Sequence, residues 1–259
     1  MDKRKLTISE IEEMEYYDFM SYIGVPYFNI GGPLSTEELA GLCHINKSSI
    51  VLMVGCGSGF SACHLAKTMG CFVLGVDIAS LPVEHARQRA VEENIENLTD
   101  FITGDAYNLP FMGNSFDIVI TEFVSQFLDK KRAFTEFRRV LKAGGYAGIN
   151  ELYRDDNIEP YLKAKIDKAE TIFTEVTGLP FSMETPGAWQ HYFEKTEFTD
   201  IRIHQHKPFQ GFKDMFVTFK AMGGFLNTAG IMLKMLIFAI SSKKIRRSFS
   251  KLDKGKRAL

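Results

Sequence analysis

The stretch Val51-Leu-Met-Val-Gly-Cys-Gly-Ser-Gly-Phe60 decides the fold of this chain of 259 residues. The apolar and β-branched run from Ile50 to Val54 predicts a buried parallel strand. The glycines after it allow a sharp turn without Cβ clashes, so a ligand can lie against bare main chain. Phe60 to Met69 has helical spacing of its apolar residues and Gly70 is typical of a C-cap, which predicts a helix whose N-terminus faces the glycine turn.

A second apolar strand, from Cys71 to Val76, is followed by Asp77. Asp77 lies about 20 residues after Gly55, the separation at which an acidic side chain meets the hydroxyl groups of a ribose. A dinucleotide fingerprint, Gly-x-Gly-x-x-Gly, would need its third glycine at Phe60. The spacing therefore indicates a nucleotide-type pocket and argues against a NAD-dependent oxidoreductase, which remains the less favoured alternative.

Three later segments carry a family resemblance. They are Gly104-Asp-Ala-Tyr-Asn-Leu-Pro-Phe111, Ser115-Phe-Asp-Ile-Val-Ile-Thr121 and Arg139-Val-Leu-Lys-Ala-Gly-Gly-Tyr146. Together with the glycine loop they resemble, in order and distance, the motifs of class I S-adenosylmethionine-dependent methyltransferases over about residues 35–207. Within that class the layout is similar to the small-molecule enzymes of the ubiquinone/menaquinone-biosynthesis type.

The resemblance implies S-adenosyl-L-methionine as cofactor and S-adenosyl-L-homocysteine as product. In the family's pattern Asp105 reaches the adenine amino group, Ala106 supplies a backbone contact and Ile78 packs on the ring. The glycines have a structural alternative as a plain tight turn, Asp77 as a helix N-cap and Asp105 as a turn residue. The cofactor-binding residues that the resemblance implies are Gly55, Cys56, Gly57, Ser58, Gly59, Asp77, Ile78, Asp105, Ala106 and Thr121.

Methyl transfer from a sulfonium requires alignment of donor and acceptor and exclusion of water, whereas a general base is optional. Glu122 and Glu151, at the ends of the fourth and fifth predicted strands, are the candidate catalytic residues that orient or deprotonate the acceptor. The alternative function is that of a non-catalytic S-adenosylmethionine-binding or membrane-associated protein. The candidate contacts of a small-molecule or lipid-like acceptor are Tyr17, Tyr107, Gln126 and Asn150.

Strands and helices alternate along the chain, which predicts an α/β fold with a Rossmann-like, doubly wound and mostly parallel sheet. Ligands of such sheets bind at the carboxyl ends of the strands, where the predicted site residues converge. Besides the two strands above, the predicted strands are Phe101 to Thr103, Phe116 to Thr121, Tyr146 to Asn150 and about 200 to 207.

Capping boxes at Ser9 with Glu12 and at Ser35 with Glu38 predict two helices before the first strand, the first reaching about Ile23. Gly144 and Gly145 are expected to end a helix over residues 129–141.

The chain is predicted to form one α/β domain with additions. Residues 1–34 are expected to fold as an N-terminal helical lid and residues 35–210 as the S-adenosylmethionine-binding domain. A helical cap is expected at about 155–187, after the fifth strand. Residues 211–259 are then a C-terminal apolar and basic helical extension.

Charge and cysteine content limit the partners and the compartment. The 31 basic and 32 acidic residues give a net charge of −1, so no nucleic-acid partner is predicted. The four cysteines lack Cys-x-x-Cys spacing and the histidines share no face with carboxylates at ligand spacing, so neither a disulfide framework nor a metal site is predicted. The first residues form no apolar leader, which favours a cytoplasmic protein.

Residues 221–259 are the second unusual feature. Residues 221–240 are apolar except for Asn227, Thr228, three glycines and Lys234, and the next nineteen residues contain eight Lys or Arg against one acid. Lys234 opposes a membrane span at a cost of about 2.5–3.5 kcal/mol, so we expect an interfacial helix on an anionic membrane surface. The alternative is a C-terminal helix that packs on the domain or on the partner of a homodimer.

Overall fold

The computed structural model describes residues 6–25, 31–205 and 224–256 of the chain. Its strands are β1 (Ile50–Val54), β2 (Phe72–Asp77), β3 (Thr99–Thr103), β4 (Phe116–Glu122) and β5 (Leu141–Asn150). They form one parallel sheet in the order β3-β2-β1-β4-β5. The strand order reverses direction between β1 and β4, and the predicted Rossmann-like, doubly wound sheet is therefore confirmed.

Helices precede the sheet, connect its strands and follow it. Those before and within the sheet are α1 (Ile8–Glu12), α2 (Tyr16–Ile23), α3 (Gly32–Leu42), α4 (Phe60–Met69), α5 (Ser80–Glu92) and α6 (Lys130–Val140), with a short 3-10 helix at Ser125–Phe127. Those after the sheet are α7 (Pro160–Thr177), α8 (Pro186–Lys195), α9 (Gly224–Ser241) and α10 (Lys243–Lys256).

The two faces of the sheet are covered by different helices. Val51 and Met53 of β1 belong to a buried cluster with side chains of α3, α4 and α5. Leu52 and Val54, which point to the opposite face because side chains alternate along a strand, pack with α6 and α8. Burial on both faces explains why β1 reads as a continuous apolar run.

The turn from β1 to α4 agrees with the prediction at both ends of the helix. Gly59 is the N-cap at φ 75° and Gly70 is the C-cap at φ 68°. Both are left-handed conformations, which glycine adopts without the steric penalty that a Cβ brings. The first N–H groups of α4 consequently follow directly on the glycine loop.

The start of the chain differs from the prediction of one long helix to Ile23. The capping box is formed by Thr7 and Glu10 rather than by Ser9 and Glu12, and it starts the short helix α1. A separate helix, α2, follows and ends at Gly24 in a left-handed conformation. The hydroxyl of Thr7 lies in the extended N-cap position, from which it accepts the Glu10 N–H, whereas Ser9 is already helical.

The predicted capping box at Ser35 with Glu38 is also wrong. Helix α3 begins three residues earlier, at Gly32, with Pro33 in its first turn, where proline is well tolerated. Ser35 lies inside the helix, and its hydroxyl donates to the Gly32 carbonyl at 2.9 Å. This places the hydroxyls of Ser35 and Thr36 among buried groups.

The two glycines after α6 do not end that helix. The chain enters β5 directly at Leu141, and Gly144, at φ 77°, lies within the strand. The register between β4 and β5 shifts between Phe116 and Ile118, so the additional β5 residues are accommodated by a bulge-like irregularity. At Gly145 a Cβ would approach the Asp117 carbonyl oxygen to 2.7 Å, which explains the requirement for glycine there.

The sixth strand predicted at about 200–207 is not formed over residues 200–205, and the remainder lies outside the described residues. The C-terminal helices α9 and α10 pack against the N-terminal helices: Met235, Phe238, Ile245 and Phe249 join a cluster with side chains of α1 and α2. Of the helices in residues 6–25, 31–205 and 224–256, none combines the length and apolar character needed to cross a bilayer.

Candidate active site

A cavity of about 450 Å³ opens at the carboxyl ends of β1, β2 and β4. This is the position at which open α/β sheets bind their ligands. The cavity brings together most of the residues selected from the sequence, namely Tyr17, Gly55, Cys56, Gly57, Ser58, Asp77, Ile78, Asp105, Ala106, Tyr107 and Glu122. The selected residues that do not line it are Gly59, Thr121, Gln126, Asn150 and Glu151.

The glycine loop forms one wall of the cavity with bare main chain. Gly55 and Gly57 have φ values of 71° and 51°, a range that residues with a side chain rarely adopt. A Cβ on Gly55 would clash with the Val124 side chain, whereas a Cβ on Gly57 would meet no atom within 4 Å. The loop therefore leaves free space beside Gly57, in which a ligand can approach the backbone closely.

Asp77 ties the loop to the end of β2. Its Oδ2 accepts the Gly57 N–H at 2.8 Å and its Oδ1 accepts the Ala79 N–H at 3.0 Å. A carboxylate has about four lone-pair positions, so each oxygen keeps capacity for a further donor from the cavity. Burial raises the pKa of Asp77, and the nearby negative charge of Asp18 raises it further.

The residues after β2 and β3 form the adjoining wall. Ile78 has 70% of its side-chain surface exposed, although it is a large apolar residue, and this surface faces the cavity. Asp105 accepts the Tyr107 N–H at 2.9 Å through one oxygen. The Tyr107 hydroxyl accepts the Asp129 N–H at 2.8 Å, and the Arg132 guanidinium lies 4.3 Å from the centre of its ring.

These two walls fit an adenosyl-type cofactor. A nucleoside needs a carboxylate for its ribose and an apolar surface for its base, and Asp77 and Ile78 supply these side by side. The amino-acid part of S-adenosylmethionine needs polar main chain, which the loop around Gly57 presents at the N-terminus of α4. The structure therefore contains the groups that such a cofactor requires, all on one cavity.

Aromatic and apolar side chains also line the cavity, and few of them were predicted from the sequence. Tyr17 of α2 lies here, and burial raises the pKa of its hydroxyl, which therefore stays protonated. Phe123 holds the strained φ of 60° directly after β4, a conformation that non-glycine residues rarely adopt. The apolar residues of this region that were missed are Val25, Phe123, Val124, Phe127, Leu128, Leu179 and Pro180.

Glu122 is a buried carboxylate that faces the cavity. The hydroxyl of Thr36 in α3 lies 3.0 Å from each of its oxygens. Asn150 Nδ2 donates to Oε1 at 3.2 Å and also to Ser35 Oγ at 3.1 Å. Thr36 was not found from the sequence, because nothing in the pattern of α3 indicates that it reaches the end of β4.

Glu151 occupies a different environment, although it directly follows the neighbouring strand β5. Its Oε1 accepts the N–H groups of Val124 at 3.1 Å and Ser125 at 2.7 Å, and the Thr121 hydroxyl lies 3.3 Å away. Its Oε2 accepts Gln126 Nε2 at 2.9 Å. Burial raises the pKa of Glu151. The carboxylate thus holds the turn after β4, and both oxygens point into that turn.

Gln126 belongs to the same network and not to the cavity wall. It is 1% exposed, and its Oε1 is buried without a hydrogen-bond partner among the described residues. Thr121 is also fully buried, and its hydroxyl lies 2.7 Å from Ser125 Oγ. These polar residues therefore support the backbone that carries Phe123 and Val124 into the cavity.

Comparison with known proteins gives the family context of this site. Residues 52–149 match the methyltransferase domain family. The methyltransferase GfsG of Streptomyces halstedii is 31% identical over 176 residues, which cover 66% of this chain and 62% of GfsG. The sterol 24-C-methyltransferase ERG6B of Gibberella zeae is 36% identical over 42% of this chain and 30% of its own length. The chain thus spans less than two thirds of either relative.

Solved structures share the fold at low sequence identity. The [4+2]-cyclase SpnF superposes with a TM-score of 0.58 at 20% identity, covering 70% of this chain and 68% of SpnF. A geranyl diphosphate methyltransferase in complex with S-adenosylmethionine superposes with a TM-score of 0.54 at 18% identity, covering 63% and 64%. The family match, the strand order and the glycine loop agree. Residues 52–149 of the chain therefore form a methyltransferase domain, and its cavity presents the groups that S-adenosylmethionine requires.

Proposed function

We propose that the protein transfers a methyl group to a small apolar or amphiphilic acceptor, as enzymes of the ubiquinone/menaquinone-biosynthesis type do. The observation that carries the proposal is that one cavity has two kinds of lining: the glycine-loop main chain with Asp77, called the polar wall, and Tyr17, Phe123 and Phe127, called the aromatic wall. The name of the sterol 24-C-methyltransferase, which acts on a sterol, supports a lipid-like acceptor.

We assign the polar wall to the cofactor. The loop from Gly55 to Ser58 receives its amino-acid part, Asp77 accepts from the ribose, and Ile78 packs on the base with Asp105 at its edge. Gly59 and Thr121 do not line the cavity and support the cofactor site indirectly. Gly59 is the N-cap of α4, and the Thr121 hydroxyl is hydrogen-bonded to Ser125.

The acceptor then lies against the aromatic wall. Tyr17 comes from the N-terminal helices, and Leu179 and Pro180 follow α7, which supports the assignment of residues 1–34 as a lid and about 155–187 as a cap. Apolar side chains from these separate segments exclude water from the cavity, and a dry site favours attack on a cationic donor by the acceptor rather than by solvent.

The cofactor supplies a methyl group that is already activated on its sulfonium, so this chain has to position the acceptor and, where the acceptor carries a proton, receive it. Glu122 is the carboxylate that can do this, because it faces the cavity and Thr36 and Asn150 hold it in place. Glu151 is a positioning residue, because its oxygens are occupied by the turn of residues 124–126.

The experiment uses the full chain with methyl-labelled S-adenosylmethionine and an organic-solvent extract of apolar metabolites. We expect label in the organic phase together with S-adenosylhomocysteine. Glu122→Gln should lower the rate by about 100-fold or more while cofactor affinity is retained, if the carboxylate takes a proton. Glu151→Gln, the matched control, should keep most of the rate, because the amide oxygen can still accept the two backbone N–H groups.

A second candidate function is supported by SpnF, which is a [4+2]-cyclase although its fold is the same. In that case the protein would bind S-adenosylmethionine and release no S-adenosylhomocysteine with any acceptor fraction. Calorimetry with S-adenosylmethionine and NAD, run beside the transfer assay, separates the candidates. Binding without turnover would favour the second function, and NAD binding alone would contradict the cofactor assignment.

A further inference from the structure

Helix α9 has one face that is buried against the N-terminal helices. Ile231 is 4% exposed, and Met235 and Phe238 pack on Phe19 and Ile23 of α2. Lys234 also turns toward this region, where its Nζ donates to the Ile23 carbonyl at 3.2 Å. The only charged residue of α9 is thus engaged with the protein.

The opposite face of α9 is apolar and exposed. At helical spacing, residues 226, 233, 237 and 240 lie on one side, with 232 and 236 beside them, away from the buried stripe. A contiguous exposed apolar face of this kind marks an interaction surface. Its members are Leu226 (85% exposed), Met232 (66%), Leu233 (57%), Leu236 (57%), Ile237 (48%) and Ile240 (70%).

Helix α10 follows α9 directly in the chain and carries positive charge. Lys243 follows three residues after Ile240, and α10 carries seven Lys or Arg against the single acid Asp253. Ile245 is buried, and with Phe249 it fixes the helix on the N-terminal cluster. Lys243, Lys244, Arg247 and Lys251 line a groove with Glu175 and Val176 of α7.

We propose that the exposed face of α9 and the exposed cations Lys243, Arg246 and Arg247 of α10 form a docking surface for an anionic lipid bilayer. An exposed apolar stripe next to a basic helix is complementary to acyl chains beside anionic headgroups. A second copy of the chain would bring the same positive charge to the contact, and a nucleic acid would leave the apolar stripe uncovered. The bilayer alone satisfies both halves of the surface.

Docking there would place the cavity close to the bilayer. Phe19, Met20 and Ile23 of α2 face the C-terminal helices, while Tyr17 and Ser21 of the same helix line the cavity. An acceptor dissolved in the membrane would therefore meet the lid first. This consequence rests on the proposed function, whereas the docking surface itself does not.

The test is sedimentation of the full chain with vesicles of phosphatidylcholine alone or with about one third phosphatidylserine. We expect binding to the anionic vesicles that is at least tenfold tighter than to neutral ones and that weakens as salt rises. Leu233→Glu and the double variant Lys243→Glu/Arg247→Glu should each bind the anionic vesicles at least tenfold more weakly than the original protein. Val91→Glu, an exposed apolar position on α5, is the matched control and should bind like the original protein.

Circular dichroism and light scattering are measured on each variant. Vesicle binding that is absent in the original protein, or unchanged in Leu233→Glu, would overturn the proposal. A third result would also overturn it: the original protein is a dimer, Leu233→Glu dissociates that dimer, and no vesicle binding is seen. The exposed face of α9 would then be a contact between two copies of the chain. Calorimetry with S-adenosylmethionine distinguishes this failure from failure of the proposed function, since the tail variants leave the cofactor wall intact.

Discussion

Replacement of Asp77 by alanine tests the cofactor assignment most directly. The carboxylate accepts N–H groups at 2.8 and 3.0 Å from Gly57 and Ala79, and because it lines the cavity it can accept a further hydrogen bond from a ligand there. A hydrogen bond to a charged acceptor contributes about 1.5–3 kcal/mol. Asp77→Ala should therefore weaken cofactor binding by roughly 10- to 150-fold, the range to which that free energy corresponds.

Calorimetric titration with S-adenosylmethionine and S-adenosylhomocysteine measures this loss. Both ligands carry the same ribose, so both should lose affinity equally. Asp117→Ala is the matched control, because Asp117 also accepts a backbone N–H, from Ile50 at 2.9 Å, but lies at the amino end of β4. Unchanged affinity in Asp77→Ala, or an equal loss in Asp117→Ala, would refute the ribose assignment.

The same residue predicts a pH dependence. Burial raises the pKa of Asp77, so protonation of the carboxylate begins at a higher pH than for an ordinary aspartate. Cofactor affinity should decrease as pH falls through this raised pKa, and Asp77→Ala should lose that dependence. The stability of the unliganded protein has the opposite pH dependence. Because the pKa of Asp77 is raised in the folded state, the stability that this group contributes is present at low pH and is lost as pH rises through that pKa.

Substitutions at Gly59 and Glu151, each with a control variant, test the supports of the site by urea unfolding. Gly59→Ala places a Cβ 2.7 Å from the Ala86 Cβ at a residue with φ 75°, so we expect the free energy of unfolding to fall by about 2–4 kcal/mol. The control is Gly41→Ala on α3, where a Cβ meets no atom within 4 Å; it should be neutral or raise the free energy of unfolding by about 0.5–1 kcal/mol. Glu151→Ala should cost about 2–4 kcal/mol by leaving two N–H groups unsatisfied. The free energy of unfolding of Glu151→Gln should stay within about 1 kcal/mol of the original protein at neutral pH, because a flipped Gln126 amide can accept a hydrogen bond from the new Nε2. The original protein should become less stable as pH rises through the raised pKa of Glu151, and Glu151→Gln should not show this decline. Equal stability of the two Glu151 variants would contradict the network.

The cofactor wall could be predicted because its parts are close in the sequence. The glycine loop, α4 and Asp77 belong to one strand-helix-strand unit, and such a unit has few ways to fold. The wrong predictions nearby were choices between two similar local signals. Ser9 was predicted as the N-cap and Thr7 is the N-cap, and Gly144 was predicted to end a helix and lies within a strand. The extended backbone of Thr7 made it the N-cap, and the pairing of β5 with β4 kept Gly144 within a strand.

The acceptor wall could not be predicted, because residues from distant segments meet there. Thr36 reaches Glu122 from α3, and Leu179 joins Phe123 from beyond α7. Glu122 and Glu151 are equivalent in the sequence, as both end neighbouring strands. Only their surroundings separate them, since one faces the cavity and the other satisfies the backbone of a turn.

The sequence by itself determined the parallel sheet and the methyltransferase domain of residues 52–149, because hydrophobic period and glycine spacing act over a few residues. It also determined that residues 221–259 combine an apolar run with a basic one. Only the tertiary structure decided which face of α9 packs on α2 and which faces outward, and that Lys234 bonds to Ile23. The physical reason is that burial depends on what each face meets, and its partners lie more than two hundred residues away in the chain.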